Sequence, residues 1–410
     1  MKAEIISIGD ELLIGQIINT NSSWIATQLN LIGIMVNRVT AIGDSKQQIL
    51  SSIDEAMHRS QIVLITGGLG PTSDDITKPA LCEYFNTTLV FDAKVFSQIE
   101  IFLKIHGGSM NELNRSQALV PQNATVIQNY FGTAPGLWFR KNDTNFISMP
   151  GVPFEMEAMM LNNIIPEIKN LFKLPVIYHK TILTTGIPES KLALNIKNWE
   201  NFLPKDIKLA YLPSPGIVRL RLSGFGTSLI KDRIEEEILK LKEILGDAIY
   251  GYDDDKLENE IGKLLTSINK TLSTAESCTG GNIARLITSV SGSSEYFLGG
   301  IIAYSNKIKI RNLGVDKEII KEHGAISKDV VESMAKGAIK VLNSDYAIAV
   351  TGIAGPTGGT KEKPIGTTWI AVASNDNIIS GKFSFGDNRE RNIIRSSIAA
   401  LNMLRTFIIN

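Results

Sequence analysis

Short apolar runs alternate with helical patterns along the first 172 residues. Ala3 to Ile8 reads as a buried strand. Ile62 to Ile65 reads as another, closed by Thr66-Gly67-Gly68. Between them, Asn21 to Ile32 sets Trp24, Ile25, Leu29 and Ile32 on one face at helical spacing. Such strand-helix alternation predicts a mostly parallel sheet with helices on both faces, a three-layer α/β domain over 1–172. The next segment, 173–252, has a different rhythm. Tyr178 to Thr185 and Ile217 to Ser223 read as strands, and the second alternates Val218, Leu220 and Leu222 with Arg219 and Arg221. With helices at Ser190 to Phe202 and Leu229 to Leu245, this is a small α+β unit whose sheet has one face in solvent. Over 253–410 the α/β pattern returns. Leu257, Ile261, Leu264, Leu265 and Ile268 mark a helix, which the run Asp253-Asp254-Asp255-Lys256 is expected to cap. Strands follow at Thr271–Thr274, Gly300–Tyr304, Tyr346–Val350 and Thr367–Ala373, and a helix runs from about Arg391 to Ile408.

Composition narrows the class. Hydrophobic residues make up 43% and charged residues 20% of 410, the profile of a folded soluble chain divided into several domains. Lys+Arg and Asp+Glu balance at 42 each, so overall charge does not favour a nucleic-acid role. The two cysteines, Cys82 and Cys278, fall in different segments. A disulfide framework and a cysteine zinc site are therefore not expected, and a reducing cytoplasm fits. Asp10 and Glu11 cut the first apolar run short, so neither a signal peptide nor a membrane span is expected.

The C-terminal segment carries four pieces of candidate chemistry. Ser277 lies in Ala275-Glu276-Ser277-Cys278-Thr279-Gly280-Gly281, where a strand is expected to end and a helix to begin near Thr279. A serine on such a turn is exposed, amides converge beside it, and the glycines let a ligand approach the backbone. The same residues would equally serve as a helix cap with glycines for packing. Histidine is scarce, with four in the chain, so a lysine is the natural activating base for Ser277. Lys307 and Lys309 both follow Tyr304, and a helix there would point them in different directions. Thr351-Gly352-Ile353-Ala354-Gly355-Pro356 is a strand entering a glycine loop, a usual ligand position in open α/β sheets. Finally, Gly386-Asp387-Asn388-Arg389-Glu390-Arg391 offers an arginine for a phosphate.

In the N-terminal segment, Gly9-Asp10-Glu11 follows the first strand, and Asn19-Thr20-Asn21 opens the helix. Gly67, Gly68 and Gly70 form a loop able to cradle a phosphate, with Asp74 and Asp75 just beyond. Carboxylates beside a phosphate site suggest a divalent, magnesium-like metal. Pro150-Gly151-Val152-Pro153 reads as a rigid wall of the same pocket. A turn-rich loop with an aspartate helix cap is the competing interpretation.

These four C-terminal segments, in this order, resemble the C-terminal domain of the CinA family, also found alone as nicotinamide mononucleotide deamidase. The resemblance implies a pyridine-nucleotide salvage enzyme of NAD metabolism that hydrolyses the carboxamide to the nicotinate mononucleotide and ammonia, without a cofactor. It implies Ser277 as nucleophile, Lys309 as general base and Tyr304 in support of the pair. Cys278, Thr279, Gly280, Gly281, Thr351, Gly352 and Arg389 or Arg391 would contact substrate. Cys278 is the rival nucleophile. The family reads Gly-Asp-Arg at the phosphate segment, whereas Asn388 is inserted here before Arg389.

The N-terminal segment resembles the molybdopterin-binding fold in its CinA-type variant, through Asn114-Arg115, Gly132-Thr133-Ala134-Pro135-Gly136 and Pro150-Gly151-Val152-Pro153. This implies a ligand site at Gly9, Glu11, Asp44, Gly67, Gly68, Gly70, Asp74, Asp75, Pro150 and Gly151. Asp44 and Asp75 would be the acidic pair and metal ligands, and metal-dependent ADP-ribose pyrophosphatase the activity. The middle segment resembles the KH-like module of full-length family members. It lacks a Gly-x-x-Gly loop with basic flanks, so RNA is not an expected partner. Small nucleotide substrates and a homodimer are expected by resemblance. The competing class is a non-catalytic pterin- or nucleotide-binding protein, or a competence accessory factor.

Overall fold

In a computed structural model, the chain is described over residues 1–72, 75–227 and 229–410. Asp74, expected at the N-terminal site, lies outside the described residues. The described residues divide into two compact bodies. One is Met1–Tyr178 with Phe225–Ile230, and the other is His179–Gly224 with Lys231–Asn410.

The first body is built on β1 (Lys2–Ile8), β2 (Met35–Ile42) and β3 (Ile62–Thr66). The short β4 (Leu89–Phe91), β5 (Leu119–Pro121) and β6 (Thr125–Ile127) follow, then β7 (Gly136–Lys141) and β8 (Thr144–Met149). Six of them form one sheet in the order β2-β1-β3-β8-β7-β6, and β4 pairs with β5. β2, β1, β3 and β8 are parallel, while β7 and β6 are antiparallel. The near-continuous apolar runs of β1 and β3 follow from burial on both faces. Ile6, Ile8, Val63 and Ile65 point into a core with Ile49 and Ile53 of helix Lys46–Met57. Their neighbours Ile5, Ile62 and Leu64 point into the opposite core with Ile25, Leu29 and Met156. This is the three-layer arrangement expected from the sequence. The carboxyl ends of β1, β3 and β8 come level, with Ser7 opposite Thr66 and Thr66 opposite Met149. The glycine-rich segments therefore leave the sheet side by side.

In the second body, β9 (Val176–Thr185), β10 (Ile207–Ser214), β11 (Ile217–Gly226) and β12 (Ile249–Tyr252) form a sheet in the order β10-β11-β9-β12. Val218, Leu220 and Leu222 are buried, and Arg219 and Arg221 are exposed, as the alternation requires. Helix Ile230–Leu245 buries Ile230, Ile234, Ile238, Leu241 and Leu245 along one stripe.

The last sheet has the order β14-β13-β15-β16-β17. Its strands are β13 (Leu272–Glu276), β14 (Phe297–Ile302), β15 (Tyr346–Gly352), β16 (Thr367–Ser374) and β17 (Ile378–Ser384). The two faces of this sheet differ in side-chain size. Ile348, Val350, Ile370 and Val372 pack toward helices Leu257–Ser267 and Arg389–Ile409. On the other face, Ala347 pairs with Ala373 and Ala349 with Ala371. That alanine surface packs with Val330, Val331, Met334 and Ala335 of helix Lys328–Leu342.

Two expectations are corrected here. Asp253-Asp254-Asp255-Lys256 does not cap its helix: Lys256 is the N-cap and makes no side-chain cap bond. Asp255 instead accepts from the amide of Tyr252, and Asp253 pairs with Lys180 at 2.6 Å, so the run closes a turn. The strand expected at Gly300–Tyr304 ends at Ile302, because Ser305 caps the following helix Asn306–Leu313. Among the described residues, no helix is long and apolar enough to cross a membrane.

Candidate active site

Ser277 leaves the end of β13, its amide donating to the Val350 carbonyl at 2.9 Å. Before it, Glu276 is buried to 1% exposure and reaches forward. Its carboxylate accepts from the amides of Gly281 at 3.0 Å, Ile283 at 3.0 Å and Ala284 at 2.8 Å. The amides at the start of helix Asn282–Thr288 are thus saturated by an internal anion, which the positive end of the helix also favours. Within the Cys278–Gly281 run expected to meet substrate, two amides are taken: that of Gly280 goes to the Ser277 carbonyl, and that of Gly281 to Glu276. The helix also begins later than expected, at Asn282. Gly280 and Gly281 adopt φ of 61° and 96°, the left-handed region where an L side chain is strained. The two glycines form the turn and do not line the cleft. The amides of Cys278 and Thr279 donate to no backbone carbonyl among the bonds outside helices and strands of the described residues.

Lys309 settles the choice that the sequence left between two lysines. The N-cap at Ser305 turns Lys309 inward, to 2% exposure, while Lys307 stays exposed. Its Nζ lies 2.9 Å from Ser277 Oγ and donates to the Ala303 carbonyl at 2.8 Å. Burial pulls the amine below the ordinary lysine range, and no carboxylate among the described residues pairs with it. In its neutral form the amine has a lone pair to receive the Ser277 proton. Cys278, the rival nucleophile, has its thiol pushed up to about 12 by burial. It is therefore held as the thiol, and not the reactive thiolate, near neutral pH.

The pair opens into a cleft of about 370 Å³, lined by Ser277, Cys278, Tyr304, the Gly352–Gly355 loop and Arg389. Arg389 donates to the Gly355 carbonyl at 2.7 Å and to the Tyr304 hydroxyl at 3.2 Å. Arg391 is exposed and does not line the cleft, so Arg389 holds the position of the expected arginine. Tyr304, 62% exposed, lines the same cleft as Ser277 and accepts from Arg389. Thr351, expected at the substrate, is buried and donates its hydroxyl to the Ala325 carbonyl at 2.9 Å. It anchors the loop whose next residue, Ile326, lines the cleft. Ile326, Thr357 and Gly358 were not anticipated, because nothing local in their sequence marks them.

In the first body, a cleft of about 340 Å³ opens at the carboxyl ends of β1, β3 and β8. It brings together Gly9, Glu11, Asp44, Gly67, Gly68, Gly70, Asp75, Pro150 and Gly151, all expected from the sequence. Asp75 is tied to the loop itself. Oδ1 accepts from the Gly70 amide at 2.8 Å, and Oδ2 from the Thr72 amide at 2.9 Å and the Thr72 hydroxyl at 2.5 Å. Asp44 and Asp10 exchange backbone-to-carboxylate bonds of 3.0 and 3.2 Å. Thr133, from the Gly132–Gly136 run, and Glu155, which no motif marked, also line it. Glu155 is nine-tenths buried and accepts from Asn129 at 2.6 Å, and burial raises its carboxyl above the ordinary range.

Does this site fit a divalent metal? Among the described residues there is no group of three or more His, Cys, Asp or Glu that would cage an ion. The lining does hold the carboxylates of Glu11, Asp44 and Asp75 beside a glycine-rich loop. An all-oxygen donor set of this kind fits a magnesium-like ion that keeps waters and shares a substrate phosphate, and not a soft metal.

Comparison with known proteins covers the chain in three stretches. Residues 4–170 match the model described as "Probable molybdopterin binding domain". Residues 179–251 match "Damage-inducible protein CinA KH domain", and residues 254–408 match "CinA C-terminal domain". A "CinA-like protein" of Flavobacterium psychrophilum is 48% identical over 408 residues, covering 98% of both chains. Another, of Cytophaga hutchinsonii, is 45% identical over 405 residues, covering 98% of this chain and 97% of that one. Among solved structures, the competence/damage inducible protein CihA of Agrobacterium tumefaciens is similar at 36% identity. It covers 38% of this chain and 94% of its own, with a TM-score of 0.37.

Proposed function

This chain belongs to the CinA family, and from that premise we propose that its C-terminal domain is a serine-lysine amidase. Its substrate is the carboxamide of nicotinamide mononucleotide, and its products are the nicotinate mononucleotide and ammonia. The observation that carries this reading is the 2.9 Å contact between a buried, carboxylate-free Lys309 and Ser277.

The chemistry follows from the pair. Neutral Lys309 takes the Ser277 proton as Oγ attacks the carboxamide carbon. The bond to Ala303 occupies one N–H of the amine, and in the neutral form rotation about the Cε–Nζ bond lets the lone pair accept from Oγ. The amides of Cys278 and Thr279 are the donors left to meet the tetrahedral oxyanion. The ammonium of Lys309 then gives its proton to the leaving nitrogen, the C–N bond breaks, and ammonia departs. An ester on Ser277 remains. Water, deprotonated by the same amine, opens it to the carboxylate and restores the hydroxyl. Arg389 and the Gly352–Gly358 loop would receive the nucleotide phosphate at the cleft mouth.

For the N-terminal domain we propose cleavage of the pyrophosphate of ADP-ribose. The loop amides of Gly67 to Gly70 would hold phosphate oxygens. Asp44 and Asp75, with Glu11 beside them, would hold a magnesium-like ion. When bound, that ion would neutralise charge on the pyrophosphate. Asp75 also braces the loop through its bonds to the Gly70 and Thr72 amides.

Ammonia release from nicotinamide mononucleotide by the full chain tests the amidase. Ser277→Ala and Lys309→Met should each lower kcat by about 10³-fold or more. Turnover at the wild-type rate in either variant rules the dyad out.

A further inference from the structure

A cavity of about 440 Å³ opens inside the second body, where the middle sheet meets the C-terminal module. It shares no lining residue with the phosphate cleft or the Ser277 cleft. The turn after β9 and the end of β10 contribute Ile187, Pro188 and Pro213. From the C-terminal module come Phe383 of β17, Phe385 just beyond that strand, and Arg395 of helix Arg389–Ile409. Residues two apart on a strand share a face, so the two phenylalanines stand side by side. Their ring centroids are 5.5 Å apart and their planes differ by 10°. Both rings are half-buried, and both prolines are exposed. Apolar rings left in contact with water beside a cavity suit a flat apolar body that covers them.

Charge sets the other end of such a ligand. Arg395 Nη1 donates to the Phe385 carbonyl at 2.7 Å, which holds the guanidinium close to the rings. Among the described residues, the arginines in ion pairs are Arg59 and Arg233, so Arg395 has no carboxylate partner. Its remaining N–H groups form a fork that matches a carboxylate. Glu189, the other charged residue of the lining, is exposed, so its own carboxylate stays hydrated. A half-buried cation with an exposed carboxylate nearby favours a ligand of single negative charge over a dianion. We propose that this cavity binds a planar aromatic monocarboxylate, its ring on Phe383 and Phe385 and its carboxylate on Arg395. The middle module, which lacks the loop expected for RNA, thereby supplies one side of a small-molecule site. This site is independent of the two reactions proposed above.

The test is calorimetric titration of the full chain with 2-naphthoate, 2-naphthamide and 2-naphthyl phosphate. The three share a ring system and differ in charge. 2-Naphthoate should bind saturably, about tenfold or more tighter than the neutral amide, and tighter than the phosphate. Arg395→Gln keeps a donor for the Phe385 carbonyl and should erase the preference for the acid over the amide. Pro188→Asp puts a carboxylate at the N-cap of helix Glu189–Asn201, where aspartate is favoured, so the fold is retained while 2-naphthoate weakens several-fold. Arg389→Gln, in the Ser277 cleft, should leave all three affinities unchanged. The proposal is overturned by no saturable binding of 2-naphthoate at millimolar concentration, by equal affinity for acid and amide, or by tighter binding of the phosphate. A preference for the acid that survives in Arg395→Gln overturns it too, and its loss in Arg389→Gln instead would put the ligand in the Ser277 cleft.

Discussion

At the scale of single residues, the two buried lysines differ in their company. Lys78, 8% exposed, is lowered to about 8 by burial and faces Gln117. Lys309 is buried further and faces a serine hydroxyl. A lysine shifted down by burial is charged below its folded pKa, and there it costs the fold stability. As pH rises from that value toward the unfolded 10.5, the unfolded chain holds more protons, so stability rises. Lys309→Met should therefore stabilise the protein near neutral pH and flatten this rise, which denaturant melts at several pH values will read. In the active protein, kcat/KM for ammonia release should climb with pH through a single ionisation below 10.5. A profile flat from pH 6 to 10 contradicts lysine as the base. Ser277 was legible as a candidate nucleophile because it stands in a distinctive run. Which lysine turns inward was fixed only by the Ser305 cap, and a long, flexible side chain carries no local mark of its burial. Glu155 was illegible for the same reason: its environment comes from Asn129 and Gly132, in another part of the chain.

Among the elements, the turn after β13 and the helix pair behind it decide whether Ser277 and Lys309 meet. Glu276 ties three amides of the next helix to the strand that ends beside Ser277. Glu276→Ala leaves those amides without acceptors and should destabilise the protein by about 3 kcal/mol. Glu276→Gln retains an acceptor but turns an N–H toward donors, and should cost about 2 kcal/mol. Thermal melts measure both, and ammonia release should fall in parallel as the turn loosens. Helix Asn306–Leu313, which carries Lys309, is held from behind by Gly337. A Cβ at Gly337 would lie 2.0 Å from the Leu313 carbonyl, so Gly337→Ala must move one helix off the other. Its expected result is a kcat loss of about tenfold or more with KM little changed, since the cleft mouth is built elsewhere. Strands such as Ala3–Ile8 and Tyr346–Val350 and the long final helix were readable from periodicity alone, whereas helix Lys328–Leu342 and strand β17 were not picked out. The late start of helix Asn282–Thr288 was not, because two left-handed glycines insert a turn that periodicity does not register.

For the whole molecule, each site is complete within one body. Every described residue lining the phosphate cleft falls in 8–155, and every described residue lining the Ser277 cleft in 277–389. The two activities should therefore separate. Asp75→Ala should abolish metal-dependent cleavage of ADP-ribose, because it removes the acceptor for Gly70 and Thr72. Ammonia release should be unchanged within about twofold, as expected for sites with no shared partner. A parallel loss of both activities in that variant would show coupling that the residues of the two sites do not provide.

The alanine face of β15 and β16 has a consequence for how this domain tolerates insertion and deletion. Small and branched side chains alternate along both strands, with period two. Loss or gain of one residue inside β15 would leave the ladder able to pair, but it would exchange the two rows. Isoleucine and valine would then stand where alanine lets helix Lys328–Leu342 lie close, and that helix braces the one bearing Lys309. A frame-preserving indel of one codon there should give a chain with near-native circular dichroism and no amide hydrolysis, since side-chain size along a strand sets the reach of an amine two elements away.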